Sequence, residues 1–244
     1  MYMGVKNIVY SHSDYFDVLE IFLETQKRFA IDNVVIFSDK EFNKTNPHVL
    51  YDPSKSYSER LRECLKQLDD EVILYQHEDM FLYQDPSRRK MSEYIKTLKD
   101  TDYSFVRLCR TGNCGLLKLK DYETLYDIHP QSPDFFAVQP TLWKREKFIQ
   151  FLEKSGDLSI WDLELNGGKI EHGMKGLMHF AEESSRGGHF NSKAWPYVAT
   201  AIVKGKWNFK EYYFELNNMD RSNFENALIS IKNTVLEYYD KQKK

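Results

Sequence analysis

VILYQHEDMFL, residues 72–82, joins two apolar runs through a short polar segment that contains two adjacent carboxylates. The first run has the length and the branched and aromatic residues that are typical of a buried strand. In open α/β sheets, ligands bind beyond the carboxyl ends of the strands. We therefore expect Glu78 and Asp79 to lie at the ligand-binding edge of a sheet.

Strands and helices alternate on both sides of this stretch. Before it, the pattern predicts a strand, a helix, a second strand and a second helix, at 7–10, 15–29, 33–37 and 56–68. After it, the pattern predicts a helix and a strand, at 86–99 and 104–108. Ser56 and Glu59 form a capping-box pattern at the start of the second helix. Such alternation predicts an α/β fold with a mostly parallel sheet covered on both faces.

The second half of the chain is less regular. Its predicted elements are a hairpin arm, a strand, a helix, a short helix opened by Ser159, a loop region, a late strand and a final helix, at 112–118, 134–139, 141–152, 159–167, 166–195, 197–203 and 223–238. The hairpin arm predicts a small antiparallel extension of the sheet. Because no repeat or linker divides the chain, we expect a single domain over residues 1–244.

The composition excludes several classes of protein. A formal net charge of -3 gives no basic face of the kind that binds nucleic acid. There is no apolar run of about 18 residues and no secretory signal at the N-terminus, so neither a membrane span nor export is expected. Three cysteines, Cys64, Cys109 and Cys114, are too few for a disulfide framework. The sequence therefore predicts a cytoplasmic protein.

The adjacent acids suit a divalent metal. Mg²⁺ and Mn²⁺ prefer carboxylate oxygens and commonly share their coordination shell with phosphates and water. Such a cation neutralises the charge that develops on a diphosphate leaving group. The alternative is a solvated acidic turn. The apolar runs on either side of Glu78 and Asp79 favour the floor of a cleft, where the carboxylates need a counter-charge.

The order of strand, Ser38-Asp39, capped helix, strand and Gln76-His77-Glu78-Asp79 resembles the donor half of GT-A glycosyltransferases. Those enzymes hold a divalent metal on a short acidic motif, often Asp-x-Asp, at the end of this strand. Here Asp79 matches the last acid and Glu78 is the second candidate, while His77, which differs from the motif, is an alternative metal ligand. The resemblance implies Mn²⁺ or Mg²⁺ as cofactor, with a late histidine, His189, as a further ligand.

Two later segments, 138–146 and 159–164, are similar to a Gln-Pro-x-x-Trp segment and a Trp-Asp/Glu-x-Glu segment of some bacterial and viral glycosyltransferases. This resemblance implies acceptor contacts from Gln139, Trp143 and Trp161. It also implies that an acid, Asp162 with Glu164 in reserve, removes the proton from the acceptor. The alternatives are that both tryptophans are core anchors and that Asp162 caps its helix with Ser159.

The donor contacts that the resemblance implies come from the residues that follow the first strands and from the capped helix, namely His12, Tyr15, Asp39, Arg60 and Gln76. Capping of the first helix is an alternative role for the segment after the first strand. A surface position is the alternative for Arg60. On this basis, residues 1–110 bind the nucleotide sugar, residues 111–210 bind the acceptor, and residues 211–244 form a C-terminal helical segment.

The sequence thus predicts a metal-dependent, inverting glycosyltransferase. Its donor is expected to be a UDP- or GDP-sugar, and its acceptor a glycan or a lipid-linked or protein-linked hydroxyl. One alternative is a sugar nucleotidyltransferase, a class that normally has a glycine-rich basic loop after the first strand. Residues 11–14 contain neither glycine nor Lys or Arg. The other alternative is a non-catalytic carbohydrate-binding protein on the same fold.

Overall fold

The computed structural model describes residues 5–110, 117–119, 122–180, 185–186, 189–190, 192–199, 202–203 and 206–207. Within these residues it has five α-helices: α1 (Phe16–Arg28), α2 (Tyr57–Leu65), α3 (Arg88–Asp100), α4 (Arg145–Ser155) and α5 (Ile160–Asn166). The strands are β1 (Lys6–Tyr10), β2 (Val34–Ser38), β3 (His48–Leu50), β4 (Val72–His77), β5 (Met80–Leu82), β6 (Phe105–Arg107), β7 (Leu117–Lys118), β8 (Leu125–Ile128), β9 (Thr141–Lys144), β10 (Gly176–His179), β11 (Ser185–Arg186), β12 (His189–Phe190), β13 (Tyr197–Ala199), β14 (Ile202–Val203) and β15 (Lys206–Trp207).

A nine-stranded sheet with the order β3-β2-β1-β4-β9-β6-β10-β8-β7 forms the centre of the molecule. The pairings leave β8 and β9 running against the other seven strands. A second, two-stranded ribbon pairs β5 with β13 in antiparallel fashion. The prediction of a mostly parallel sheet with a small antiparallel extension is therefore confirmed.

Side chains alternate between the two faces of the sheet, and helices cover both faces. In β1, Ile8 and Tyr10 pack in the same apolar cluster as residues of α2 and α4. Val9, between them, packs with residues of α1 on the other face. This alternation is what a strand with a period of two residues produces when both faces are buried.

The helix α2 begins as the capping-box pattern predicts. The Ser56 Oγ accepts a hydrogen bond from the backbone N–H of Glu59 at 3.2 Å, and this satisfies one of the free donors at the helix start. The apolar face of α2 buries Tyr57, Leu61 and Cys64. The first turn of α2 is thereby fixed beside the carboxyl ends of β1 and β4.

The middle of the chain differs from the prediction. Residues 141–144 are not helical but form β9, which lies between β4 and β6, and α4 begins only at Arg145. The predicted strand at 134–139 is wrong, because this segment consists of turns. A run of three buried residues fits a short strand and a helix segment equally well. Pairing on both sides of β9 decides in favour of the strand.

The predicted loop region also contains a central strand, β10, which lies between β6 and β8. Its first residue, Gly176, packs so tightly against Phe105 that an added Cβ would lie 2.1 Å from the phenyl ring. Glycine is a loop signal when the sequence is considered alone. Here Gly176 belongs to a buried strand, where the lack of a side chain permits the close approach of Phe105. The predicted late strand at 197–203 is two short strands, β13 and β14. The predicted final helix at 223–238 and most of the hairpin arm lie outside the described residues.

Candidate functional site

A cleft of about 660 Å³ opens at the carboxyl ends of β1 and β4. Three segments enclose it: the residues after β1, the first turn of α2 and the first turn of α5. The lining residues are Tyr10, Ser11, His12, Asp14, Tyr15, Tyr51, Ser56, Tyr57, Arg60, His77, Glu78, Ser159, Ile160 and Trp161. The structure thus brings together five of the predicted site residues, namely His12, Tyr15, Arg60, Glu78 and Trp161.

Aromatic rings form the inner wall of the cleft. The rings of Tyr10 and Tyr51 stack with their centroids 5.1 Å apart, and the Tyr10 and His77 centroids are 5.4 Å apart. The hydroxyls of Tyr57 and Tyr75 contact each other and lie 3.1 Å and 2.8 Å from Nε2 of His77. Burial lowers the pKa of His77 to about 3, so this imidazole is neutral at physiological pH.

Glu78 places a buried carboxylate at the cleft. It is 9% exposed, and its Oε2 atom has no hydrogen-bond partner among the described residues. Burial, and then the negative charge of Asp79, raise the pKa of the Glu78 carboxyl well above its usual range. The Nδ1 atom of His77 lies 4.0 Å from Oε2, but a neutral imidazole does not compensate a carboxylate charge. A buried, unpaired carboxylate of this kind favours binding of a cation or of a proton donor.

The half-buried Asp79 occupies the turn between β4 and β5. Glu78 and Asp79 are the adjacent carboxylates that could hold a divalent cation. Among the side chains that the structure describes, no group of three or more His, Cys, Asp and Glu is placed to hold a metal. The side chain of His189 lies outside that description. Mg²⁺ commonly uses only one or two protein carboxylates and completes its shell with phosphate oxygens and water. Of the two predicted ligands, Glu78 lines the cleft and Asp79 does not, so a cation in the cleft would be held by Glu78.

Arg60 supplies positive charge to the outer wall. Its guanidinium carbon lies 5.1 Å from the centroid of the Tyr51 ring, within the range of a cation–π contact. Its Nε atom donates to the Ser56 carbonyl at 3.3 Å. Among the described residues that line the cleft, Arg60 is the only Lys or Arg. A guanidinium is charged at every physiological pH and binds phosphate in a bidentate manner.

The loop after β1 is held by Asp39, which does not line the cleft. The Asp39 carboxylate accepts hydrogen bonds from the backbone N–H and the hydroxyl of Ser13, at 2.6 Å and 2.8 Å. His12 Nε2 lies 3.7 Å from the same carboxylate. Burial acts to raise the pKa of Asp39, but the hydrogen bonds from Ser13 and the proximity of His12 outweigh it, so the net effect is a lowered pKa. Asp39 therefore positions His12.

We expect Asp39→Asn to lower the free energy of unfolding by about 2 kcal/mol at neutral pH, as loss of hydrogen bonds to a charged group does. Because the pKa is lower in the folded state, this stability is present above the unfolded-state pKa of about 4 and is lost as the pH falls through the folded-state value. Urea unfolding at several pH values tests this. The difference between the two proteins should shrink in acid, and a difference independent of pH would contradict the assignment.

The first turn of α5 forms the third side of the cleft. Trp161 is 72% exposed and lines the opening. The next residue, Asp162, accepts a hydrogen bond from the Ser159 hydroxyl at 2.6 Å, while its own N–H donates to Ser159 Oγ at 3.2 Å. Asp162 thus completes the helix cap. Its carboxylate is exposed and does not line the cleft.

The second predicted acid, Glu164, faces away from the opening of the cleft. Its Oε1 atom accepts a hydrogen bond from the backbone N–H of Val138 at 2.6 Å. Burial raises the pKa of this carboxyl, partly offset by that hydrogen bond and by the charge of Arg107. Arg107 itself is buried and donates to the carbonyls of Asp134 and Phe135. Glu164 and Arg107 therefore hold the segment 134–138 in place.

Three further predicted contacts are not brought to the cleft. Trp143 lies in the core on β9 and is 2% exposed. Gln76 is fully buried, and its amide bonds Asn7 and Trp195 rather than facing the opening, because it points to the opposite face of β4 from Tyr75 and His77. Gln139 accepts hydrogen bonds from Tyr197 and Cys109. These placements correct the expectation that Trp143 and Gln139 contact an acceptor and that Gln76 contacts a donor.

The tyrosines of the inner wall were missed by the sequence analysis as site residues. Tyr10 is the last residue of β1, and Tyr51 follows β3 directly. The signal available in the sequence was a tyrosine at the carboxyl end of a strand: Tyr10 ends the predicted first strand, and Tyr51 follows the short β3. Tyr57 lies on the buried face of α2 and also lines the cleft.

No known protein-family model matches the chain, and no curated protein is similar to it in sequence. Solved structures with a similar chain trace include a 4-diphosphocytidyl-2C-methyl-D-erythritol synthase from Anaerococcus prevotii. The two chains are 16% identical, the match covers 72% of this chain and 86% of that one, and the TM-score is 0.42.

Two more solved structures belong to this comparison. A CMP:2-keto-3-deoxy-manno-octonic acid synthetase in complex with CTP is 8% identical over 72% of this chain and 89% of that one, with a TM-score of 0.47. A mannosyltransferase from Pyrobaculum calidifontis in complex with GDP-Man and Mn²⁺ is 15% identical over 75% and 58% of the two chains, with a TM-score of 0.43. At these values the likeness establishes no family. No helix within the described residues is long and apolar enough to cross a membrane.

Proposed function

We propose that this chain is a transferase that binds a nucleotide sugar in the cleft at the carboxyl ends of β1 and β4. The observation that carries the proposal is the buried Oε2 atom of Glu78, which has no partner within the described part of the chain and lies in the same cleft as Arg60. A nucleotide sugar offers a diphosphate, which attracts both a guanidinium and a cation held by a carboxylate. It also offers rings, which pack on aromatic side chains such as Trp161.

Glycosyl transfer is the first candidate reaction. Arg60 is the single described Arg in the cleft lining, and together with one divalent cation on Glu78 it would place positive charge beside a diphosphate. Bound there, Mn²⁺ or Mg²⁺ would neutralise the charge of the departing nucleoside diphosphate. An acceptor hydroxyl attacks the anomeric carbon and gives its proton to a carboxylate. Neither predicted acid lines the cleft: the Asp162 carboxylate accepts from Ser159 and that of Glu164 from Val138. Asp162 stays the first candidate for that carboxylate because it is exposed and next to Trp161, which lines the opening.

Sugar nucleotidyl transfer is the second candidate. Two of the three solved structures named above are of that class. In that reaction a sugar phosphate attacks the α-phosphate of a nucleoside triphosphate, and pyrophosphate leaves. The two candidates therefore differ in what is released: a nucleoside diphosphate from a nucleotide sugar, or pyrophosphate from a triphosphate. Incubation with each substrate class, followed by measurement of both products, separates them.

Calorimetric titration with UDP and with GDP, with and without Mn²⁺, tests binding in the cleft. We expect Mn²⁺ to strengthen binding to the wild-type protein. We expect Glu78→Gln to remove most of this gain, about tenfold in affinity, as loss of one interaction with a charged group does. The amide keeps the size of the side chain but is a poor ligand for a hard cation.

Asp14→Asn is the matched control, because Asp14 lines the same cleft but its side chain is 77% exposed. It should leave the effect of Mn²⁺ unchanged. If neither nucleotide binds the wild-type protein, the proposed function is wrong. If a nucleotide binds equally well with and without Mn²⁺, and Glu78→Gln changes nothing, the metal site is wrong while nucleotide binding stands.

A further inference from the structure

A second hollow, of about 570 Å³, lies between α1 and the loop that follows β2. Its size falls within the range of about 300–1,000 Å³ that is usual for small-molecule sites. Its lining includes Glu24 and Gln26 from α1 and Phe42 from the loop. It shares no lining residue with the cleft described above, so it is a separate feature of the molecule.

A chain of buried side-chain hydrogen bonds leads to this hollow. The indole Nε1 of Trp195 donates to Oε1 of Gln76 at 3.2 Å, and Nε2 of Gln76 donates to Oδ1 of Asn7 at 2.6 Å. The Nδ2 atom of Asn7 then donates to Oε1 of Gln26 at 3.0 Å. All four residues are at most 2% exposed. These bonds therefore run along one face of the sheet, from the segment before β13 to α1, and all four side chains that form them are buried.

The indole fixes the direction of this chain. An indole N–H can only donate, so Gln76 must present its oxygen to Trp195 and its nitrogen to Asn7. Asn7 must in turn present its nitrogen to Gln26, and Gln26 accepts with its oxygen. The Nε2 group of Gln26 is left as a donor, and it has no hydrogen-bond partner among the described residues. Because buried donors are almost always paired in folded proteins, Gln26 calls for an acceptor beyond the side chains that the structure describes, such as a bound ligand.

The rim of the hollow has the opposite hydrogen-bonding character. Glu20 and Glu24 are exposed and lie one helical turn apart on α1, so they share a face. Their carboxylates accept hydrogen bonds. Lys27, also at the hollow, offsets part of their negative charge, which favours a neutral occupant over a cation. Phe42 adds an aromatic ring to the wall.

We propose that this hollow binds a neutral saccharide ring, separately from the cleft. A sugar hydroxyl accepts a hydrogen bond from Gln26 at the inner end, and other hydroxyls of the same ring donate to Glu20 and Glu24 at the rim. The C–H face of the ring packs on Phe42. Hydroxyls both donate and accept hydrogen bonds. A saccharide can therefore accept from Gln26 at the inner end and donate to Glu20 and Glu24 at the rim. This inference does not depend on the reaction assigned to the cleft.

The test follows the side-chain amide signal of Gln26 by ¹⁵N-resolved NMR of the full chain. The probes are the methyl glycosides of glucose, galactose, mannose and N-acetylglucosamine, each at millimolar concentrations. We expect at least one to shift that signal in a saturable manner. Gln26→Glu keeps the acceptor for Asn7 but replaces the free donor with an oxygen, and its binding is then followed on backbone signals of α1. Glu24→Ala removes one acceptor at the exposed rim.

Each variant should weaken binding about tenfold, as loss of one hydrogen bond with a charged or buried group does. Glu171→Ala, an exposed acid that lines neither cavity, should leave the affinity unchanged. If Gln26→Glu fails to fold, Glu24→Ala on the surface still decides the question. The proposal is overturned if no glycoside gives saturable shifts, if binding survives both variants, if UDP displaces the glycoside, or if uridine and adenosine bind in the hollow more tightly than every glycoside.

Discussion

Trp143→Ala should lower the free energy of unfolding by about 3–5 kcal/mol, the usual cost of removing a buried aromatic side chain. Trp143 is 2% exposed on β9. The centroid of its ring lies 4.4 Å from the ring centroid of Phe105 and 4.4 Å from that of Phe148, and the Phe148 ring is nearly parallel to it. Replacement by alanine removes both contacts and leaves a cavity between the sheet and α4. Urea unfolding followed by far-ultraviolet circular dichroism measures the change.

Trp161→Ala is the matched control for stability, because it deletes the same side chain at a site that is 72% exposed. It should change the free energy of unfolding by no more than about 0.5 kcal/mol. Similar losses of stability in the two variants would contradict the assignment of Trp143 to the core. If Trp143→Ala keeps its stability but loses ligand binding, then Trp143 contacts the ligand, as the sequence predicted.

The second large effect concerns ligand affinity. Trp161→Ala should weaken binding of the nucleotide sugar that the wild-type protein binds most tightly by roughly tenfold to a hundredfold, because stacking on an aromatic side chain contributes about 1–3 kcal/mol. The side chain lines the cleft, and nothing in the described core covers it. Calorimetric titration of the variant and the wild type with the same donor gives the ratio.

Leu165→Ala serves as the control for that experiment. Leu165 lies one helical turn further along α5, is 68% exposed and does not line the cleft. Its loss should leave the affinity unchanged. Equal weakening in both variants would indicate a general effect on α5 rather than stacking by Trp161. An unchanged affinity in Trp161→Ala would place the ligand elsewhere in the cleft.

Much of the first half of the fold could be predicted from the sequence. Residues 72–75 form the first part of β4, and Ser56 caps α2, because both signals are local: an apolar run and a capping pair. The carboxyl edge of a parallel sheet then explains why His12 and Glu78 meet in one cleft although they are far apart in sequence. For these residues, knowledge of the strand ends was sufficient.

The rest depends on contacts between distant residues. The assignment of β9 and β10 as strands requires knowing their partners, since three or four buried residues carry no clear period. Gln76 was predicted as a donor contact from the resemblance of the segment Gln76-His77-Glu78-Asp79, whereas adjacent residues of a strand point to opposite faces. The role of Asp39 depends on two hydrogen bonds from Ser13, and that of Glu164 on one from Val138; the sequence has no signal for either.

The position of β9 has a consequence for how the chain assembles. During synthesis, β4 emerges long before β9, which alone covers its second hydrogen-bonding edge in the sheet. Until Thr141–Lys144 arrives, that edge is open to pairing with other chains, a recognised route to aggregation. Pairing of strands so distant in sequence also slows folding, because a long loop must close first. Fragments that end before Thr141 should therefore accumulate in inclusion bodies. Such fragments also lack Trp161, the last described residue that lines the cleft.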